Sequence, residues 1–102
     1  MFRKTKIHFV GIGGIGMSAI ADVLHQKGFK ISGSDLSNNK IIENLKKKGI
    51  QINLSHSSKN VIQADFVVYS SAIKKDNPEL KLAKKKKIPT FSRAMMLAEV
   101  MR

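Results

Sequence analysis

The sequence of 102 residues contains no cysteine. That excludes a disulfide framework and any thiolate metal site. Long apolar runs are also missing: none approaches the ~20 residues that a membrane-spanning helix needs. The opening "MFRKTK" leads straight into a strand-like segment, so no apolar stretch of a secretory signal is expected there. A cytoplasmic protein is the simplest expectation. Acidic residues are few, 7 against 19 Lys and Arg, for a net charge of +12. Arginine is scarce within that excess, occurring only as Arg3, Arg93 and Arg102. Base readers and bidentate phosphate contacts favour arginine, so the excess reads as solvated lysine faces. The run Lys84 to Lys87 has no aromatic platform beside it on which bases could stack. Neither a nucleic acid nor a membrane is expected as partner. The histidines His8, His25 and His56 are scattered without a carboxylate cluster, so no metal site is expected.

What is present is a hydrophobic fraction of 42%, enough for one core, and short apolar runs alternating with helical patterns. That alternation predicts a βαβ series. Strand-like runs fall at Ile7–Val10, "FKISGSD", "IQINL", "ADFVVYS" and "IPTFS". Helical patterns fall at Ile15–Lys27, after Asn38 or Asn39, after Asn77–Pro78, and over "SRAMMLAEVM". The first helix is expected to bury Ile20, Val23 and Leu24, the second to carry Ile41, Ile42 and Leu45 on one face. Gly28 and Gly49 are placed to end these helices in the left-handed conformation. Right-handed crossovers then give a Rossmann-like α/β domain: three layers, with a mainly parallel sheet of roughly five strands flanked by helices. Ligands of such sheets bind at the carboxyl ends of the strands.

Between the first strand and the first helix lies "GIGGIG", from Gly11 through Ile12, Gly13, Gly14 and Ile15 to Gly16. A strand, a glycine turn and a helix start make an anion site, because unpaired amides and the helix dipole point at the ligand. Asp35 ends the next strand nineteen residues past Gly16, where a carboxylate can accept hydrogen bonds from ribose hydroxyls. Nowhere does Gly-Lys-Ser/Thr follow a glycine at the spacing of a triphosphate loop, so no ATP and magnesium site is found in this stretch. From these residues alone the leading reading is a dinucleotide-binding domain, an NAD(P)-binding Rossmann module of an oxidoreductase or regulatory protein. A basic nucleic-acid-binding domain explains the charge but not the loop.

Four longer stretches narrow the choice. "IHFVGIGGIGMSAIADVL", "SGSD", "VVYSSAIKKDNPE" and "IPTFSRAMMLAEVMR" occur in this order, spread from residue 7 to residue 102. Together they resemble the N-terminal domain of the Mur ligase family, and within it the ligase that joins L-alanine to UDP-N-acetylmuramate in peptidoglycan precursor synthesis. The resemblance implies that residues 1–102 are a UDP-sugar-binding domain. It implies that a central domain for ATP and Mg2+ and a C-terminal domain helping to hold L-alanine lie outside this chain, with the catalytic residues. In the implied reaction ATP phosphorylates the muramoyl carboxylate and the amine of L-alanine displaces phosphate. This chain is expected to bind UDP-N-acetylmuramate and not to ligate. The resemblance further implies that the loop Gly11–Gly16 holds the pyrophosphate of UDP and that Asp35 contacts the ribose. It places Ser70 and Ser71 beside the diphosphate and His56 near the uracil, where the ring can donate to a carbonyl. His8 is expected to bond locally in a strand core and His25 to be exposed. Met95, Met96 and Met101 are expected as helix core or as a face that meets a further domain.

Overall fold

The computed structural model describes residues 5–14 and 16–102. The expectations for Ile15 and Arg3 lie outside them. The elements in chain order are β1 (Lys6–Val10), α1 (Met17–Gln26), β2 (Lys30–Ser34), α2 (Lys40–Lys47) and β3 (Gln51–Asn53). A 3-10 turn (Ser58–Val61) follows, then β4 (Phe66–Tyr69), α3 (Pro78–Lys85), β5 (Thr90–Ser92) and α4 (Arg93–Val100). The strands form one parallel sheet in the order β3-β2-β1-β4-β5. The order reverses at β1, with β2 on one side and β4 on the other, which is the switch point where such sheets bind ligands.

Strand side chains alternate between the two faces, and the two faces differ in chemistry. Ile7, Phe9, Ile31 and Val68 join Met17, Ile20, Leu24, Ile42, Leu45 and Met96 in an apolar layer under α1, α2 and α4. On the other face, Val10 and Val67 pack with Val61 of the 3-10 turn and with Leu80 and Ala83 of α3. His8, Ser32 and Ser34 occupy alternate positions of β1 and β2, paired His8 to Ser32 and Val10 to Ser34 in register. A polar strip therefore runs across the α3 face.

The helices start and stop on local signals. The Asn39 side chain accepts from Ile42 N at 3.1 Å, and the Asn77 side chain accepts from Glu79 N at 2.9 Å with Pro78 next in line. Gly28 at φ 98° and Gly49 at φ 93° end α1 and α2 in the left-handed region, as expected. Val23 is a correction: it is 38% exposed, and α1 buries Met17, Ile20, Ala21 and Leu24. Those four repeat at i, i+3, i+4 and i+7, and Val23 falls off that stripe. Ile41 is likewise exposed while Ile42 and Leu45 are buried. His25 is partly buried rather than free, its Nε2 lying 2.8 Å from the Lys48 carbonyl at the end of α2.

Candidate functional site

The glycine loop leaves β1 at its carboxyl end and is folded onto β2 by its own amides. Gly11 N and Ile12 N both donate to the Ser34 carbonyl, at 2.8 and 3.1 Å, and Gly14 N donates to the Gly11 carbonyl at 3.0 Å. Gly13 N donates to Asp35 Oδ2 at 2.8 Å. The side chain of Ile12 is fully buried, lying over Gly33, so only its backbone borders the site. Gly11 at φ 82° and Gly16 at φ 83° take a conformation that side chains rarely adopt. Gly16 is the N-cap of α1 and supplies no capping side chain, and the first turn holds no acidic residue. Met17 N and Ser18 N fold back on the Gly14 carbonyl at 3.1 and 3.4 Å, and no side chain of the first turn offsets the positive end of the helix dipole.

The other expected residues come to the same end of the sheet. Asp35 accepts from Gly13 N on Oδ2 and from Ser37 N at 2.9 Å on Oδ1. Asp35 braces the loop rather than capping α2, which Asn39 does. An ionised carboxylate has about four lone-pair positions, so two remain for hydroxyls of a ligand. Ser70 follows β4 directly, and a side chain on Gly11 would meet its Cβ at 3.4 Å. The Ser70 hydroxyl accepts from Ala72 N at 3.1 Å, and Ser71 beside it is exposed. His56 reaches back from the loop after β3, its Nδ1 lying 2.8 Å from Ser34 Oγ.

Three residues that the sequence reading had not singled out for the site belong to it. Ser34 joins its halves: its carbonyl holds the glycine loop and its hydroxyl meets His56. Arg93 opens α4 and lays its side chain on the loop, where a Cβ on Gly16 would lie 3.2 Å from both Arg93 Cδ and Nη1. The Arg93 guanidinium can form the bidentate phosphate contact that lysine cannot. Glu79, the last residue of "DNPE", is fully buried. Its Oε1 lies 2.7 Å from His8 Nε2 and accepts from Ser34 Oγ at 2.7 Å. Its Oε2 accepts from Ser57 N at 3.0 Å and Asn60 Nδ2 at 2.8 Å, with His56 Nδ1 3.4 Å away. Burial alone would raise its pKa. Hydrogen bonds from His8 and Asn60, the His8 charge and the Ser34 bond overcome that and lower it to about 2. The motif spacing carried no signal for these contacts, since they join positions far apart in the chain. His8 is buried in the strand core as expected, but its bonds are not local: they run to Glu79 and to Ser32 Oγ at 2.8 Å.

A cleft of about 490 Å3 opens at the amino-terminal ends of β1 to β3 beside Lys6, Lys30, Gln51, Lys59 and Gln63. It has neither a helix N-terminus nor the glycine loop, and its lysine heads are on flexible stems. The carboxyl end holds the convergent groups. Among the described residues no helix is long and apolar enough to cross a membrane.

Residues 6–102 match the sequence model described as Mur ligase family, catalytic domain. The chain is 59% identical over 96 residues to UDP-N-acetylmuramate–L-alanine ligase of Bartonella bacilliformis, covering 94% of this chain and 20% of that protein. Against the enzyme of the same name from Neisseria meningitidis serogroup C it is 55% identical over 100 residues, covering 98% and 21%. The crystal structure of UDP-N-acetylmuramate-alanine ligase from Thermotoga maritima superposes with a TM-score of 0.90 at 38% identity, covering 94% of this chain and 22% of that one. The chain thus spans about a fifth of the length of the curated relatives it matches.

Proposed function

The chain belongs to the Mur ligase family, and from that membership we propose that it is the UDP-sugar-binding domain of an amide ligase. In this reading residues 1–102 hold UDP-N-acetylmuramate, while ATP, Mg2+ and L-alanine are engaged by parts of the whole protein beyond them, in the cytoplasm. One observation carries the reading. The glycine loop, Asp35, Ser70 and His56 converge at the carboxyl ends of β1, β2 and β4, on a chain so similar to proteins that are named for this substrate.

The roles follow from what each group has to offer. The end of the loop at Gly16 and the N-terminus of α1 take the pyrophosphate, joined by the Arg93 guanidinium and the Ser70 and Ser71 hydroxyls. The free lone pairs of Asp35 accept ribose hydroxyls, and His56 meets the uracil. Among the described residues no three carboxylate or imidazole groups are arranged so that they could hold a metal ion, and in this reading ATP and Mg2+ are engaged beyond this chain. It binds and does not ligate: with ATP, L-alanine and UDP-N-acetylmuramate, phosphate release stays at the blank rate.

Calorimetric titration with UDP-N-acetylmuramate, UDP and NAD in parallel, at physiological salt, tests the reading. Selective binding of the two uridine ligands is expected. Tighter binding of NAD would replace it with a dinucleotide module, which shares the loop and Asp35 but leaves "SSAIKKDNPE" without a role. Arg93→Ala is expected to weaken UDP about tenfold or more while leaving uridine, which lacks the phosphates, nearly unaffected.

A further inference from the structure

Ser34 has a single hydroxyl proton, and the structure gives it two neighbours. Its Oγ donates to Glu79 Oε1 at 2.7 Å and lies 2.8 Å from His56 Nδ1. The ionised Glu79 carboxylate can only accept. If the Ser34 proton were turned to His56, a hydroxyl lone pair would face a fully buried carboxylate oxygen at 2.7 Å with no proton between them. The proton therefore belongs to Glu79, and the second contact requires His56 Nδ1 to be the donor. Glu79 Oε2, 3.4 Å from the same nitrogen, favours the same arrangement. A neutral imidazole with a proton on Nδ1 carries a lone pair on Nε2. Among the described residues that nitrogen has no hydrogen-bond partner, and the one buried side-chain polar atom without a partner is Asp22 Oδ1. His56 Nε2 therefore opens to solvent, on a side chain otherwise 13% exposed.

We propose that Glu79 is a positioning residue which, through Ser34, fixes His56 as the Nδ1–H tautomer, so that Nε2 accepts a ligand N–H at the carboxyl end of the sheet. The inference rests on the UDP reading for its ligand: the N–H is the imide N3–H of uracil. His56 then reads the base as an acceptor, in place of the carbonyl donor expected from the sequence. Cytosine presents a lone pair at N3 and is rejected by the same geometry.

Two measurements on the 102-residue chain separate this from the UDP reading itself. The first is imidazole 15N NMR without ligand. An unprotonated Nε2 on His56 is expected in the wild type and a mixture of tautomers in Ser34→Ala, while a protonated Nε2 in the wild type overturns the proposal. The second is titration with UDP, CDP and N3-methyl-UDP. UDP is expected to bind about tenfold or more tighter than either analogue, and Ser34→Ala or Glu79→Gln to shrink that ratio toward one. Equal binding of UDP and N3-methyl-UDP by the wild type overturns the proposal and leaves the UDP reading intact. No binding of UDP overturns the UDP reading and the ligand half of this inference with it. A loss of fold in Glu79→Gln is seen in its amide spectrum, and Ser34→Ala, which keeps the carboxylate, then carries the test.

Discussion

A methyl group at position 13 would lie 2.9 Å from both Asp35 Oδ2 and Ile42 Cδ1. Gly13 is thus small because the chain itself closes around it, and the same closeness lets its amide reach Asp35. Gly13→Ala must push Asp35 or Ile42 aside, and overpacking of this kind costs about 1–3 kcal/mol. Urea denaturation checks the cost. UDP binding is expected to fall further than stability does, because Asp35 moves with the loop. Asp35→Ala should weaken UDP by removing the ribose acceptor and the brace together, and unchanged binding would count against both roles. Glu79 adds a pH dependence with a definite sign. Its pKa is lowered from 4.5 to about 2, so its contribution is complete above the unfolded value and lost as pH falls toward the folded one. The difference corresponds to about 3 kcal/mol at neutral pH. Unfolding free energies measured between pH 6 and pH 2 should therefore drop by that order in the wild type. In Glu79→Gln this component of the slope is absent.

The elements were legible wherever their causes are local. Asn39, Asn77–Pro78, Gly28 and Gly49 act within a few residues of themselves, and each marks a helix end as read. The apolar runs of β1 and β4 likewise announced buried strands. The misreadings arose where the partner is distant. Which stripe of α1 faces the sheet is decided by the layer beneath it, and Met17 and Ala21 take the place assigned to Val23. His8, Ser32 and Ser34 looked like polar interruptions of apolar strands. Only the strand pairing and the crossover of α3 bring Glu79 onto them. For the same reason Gly11, Gly13, Gly16 and Asp35 could be grouped from their spacing, whereas Ser34, Glu79 and Arg93 could not. The Asn77 cap serves this arrangement, because Glu79 donates its own amide to it. Asn77→Ala is expected to cost about 1 kcal/mol of stability. It should also loosen Glu79 at the start of its helix, which a fall in the preference for UDP over N3-methyl-UDP would register.

The charge of the whole molecule is distributed along the sheet axis, and that distribution separates two kinds of ligand. Helices of a βαβ series run back against the strands, so their C-termini lie at the amino-terminal end of the sheet. The exposed runs Lys46–Lys48 and Lys84–Lys87 sit at the ends of α2 and α3, where cations complement the dipole. Lys6 and Lys30 begin their strands at that same end. The glycine loop is at the other, a strand length away, and five residues of strand span roughly 16 Å. The Debye length at physiological salt is about 8 Å, so these nine lysines are largely screened from a diphosphate at the loop. UDP should therefore owe its affinity to the amides, Arg93 and hydroxyls around it. Its dissociation constant is expected to rise less than about tenfold between 50 and 200 mM salt, in keeping with two phosphates and few released counterions. A nucleic acid held across the lysine runs would behave differently, losing about 10³-fold or more over that range once six or more phosphates are neutralised. Titrating UDP and a short duplex DNA at both salt concentrations measures the two slopes side by side. A shallow slope for UDP, with duplex binding vanishing at the higher salt, would assign the charge to the surface and the specificity to the loop. An equally steep slope for UDP would mean that the lysine field reaches the site and that the screening argument fails.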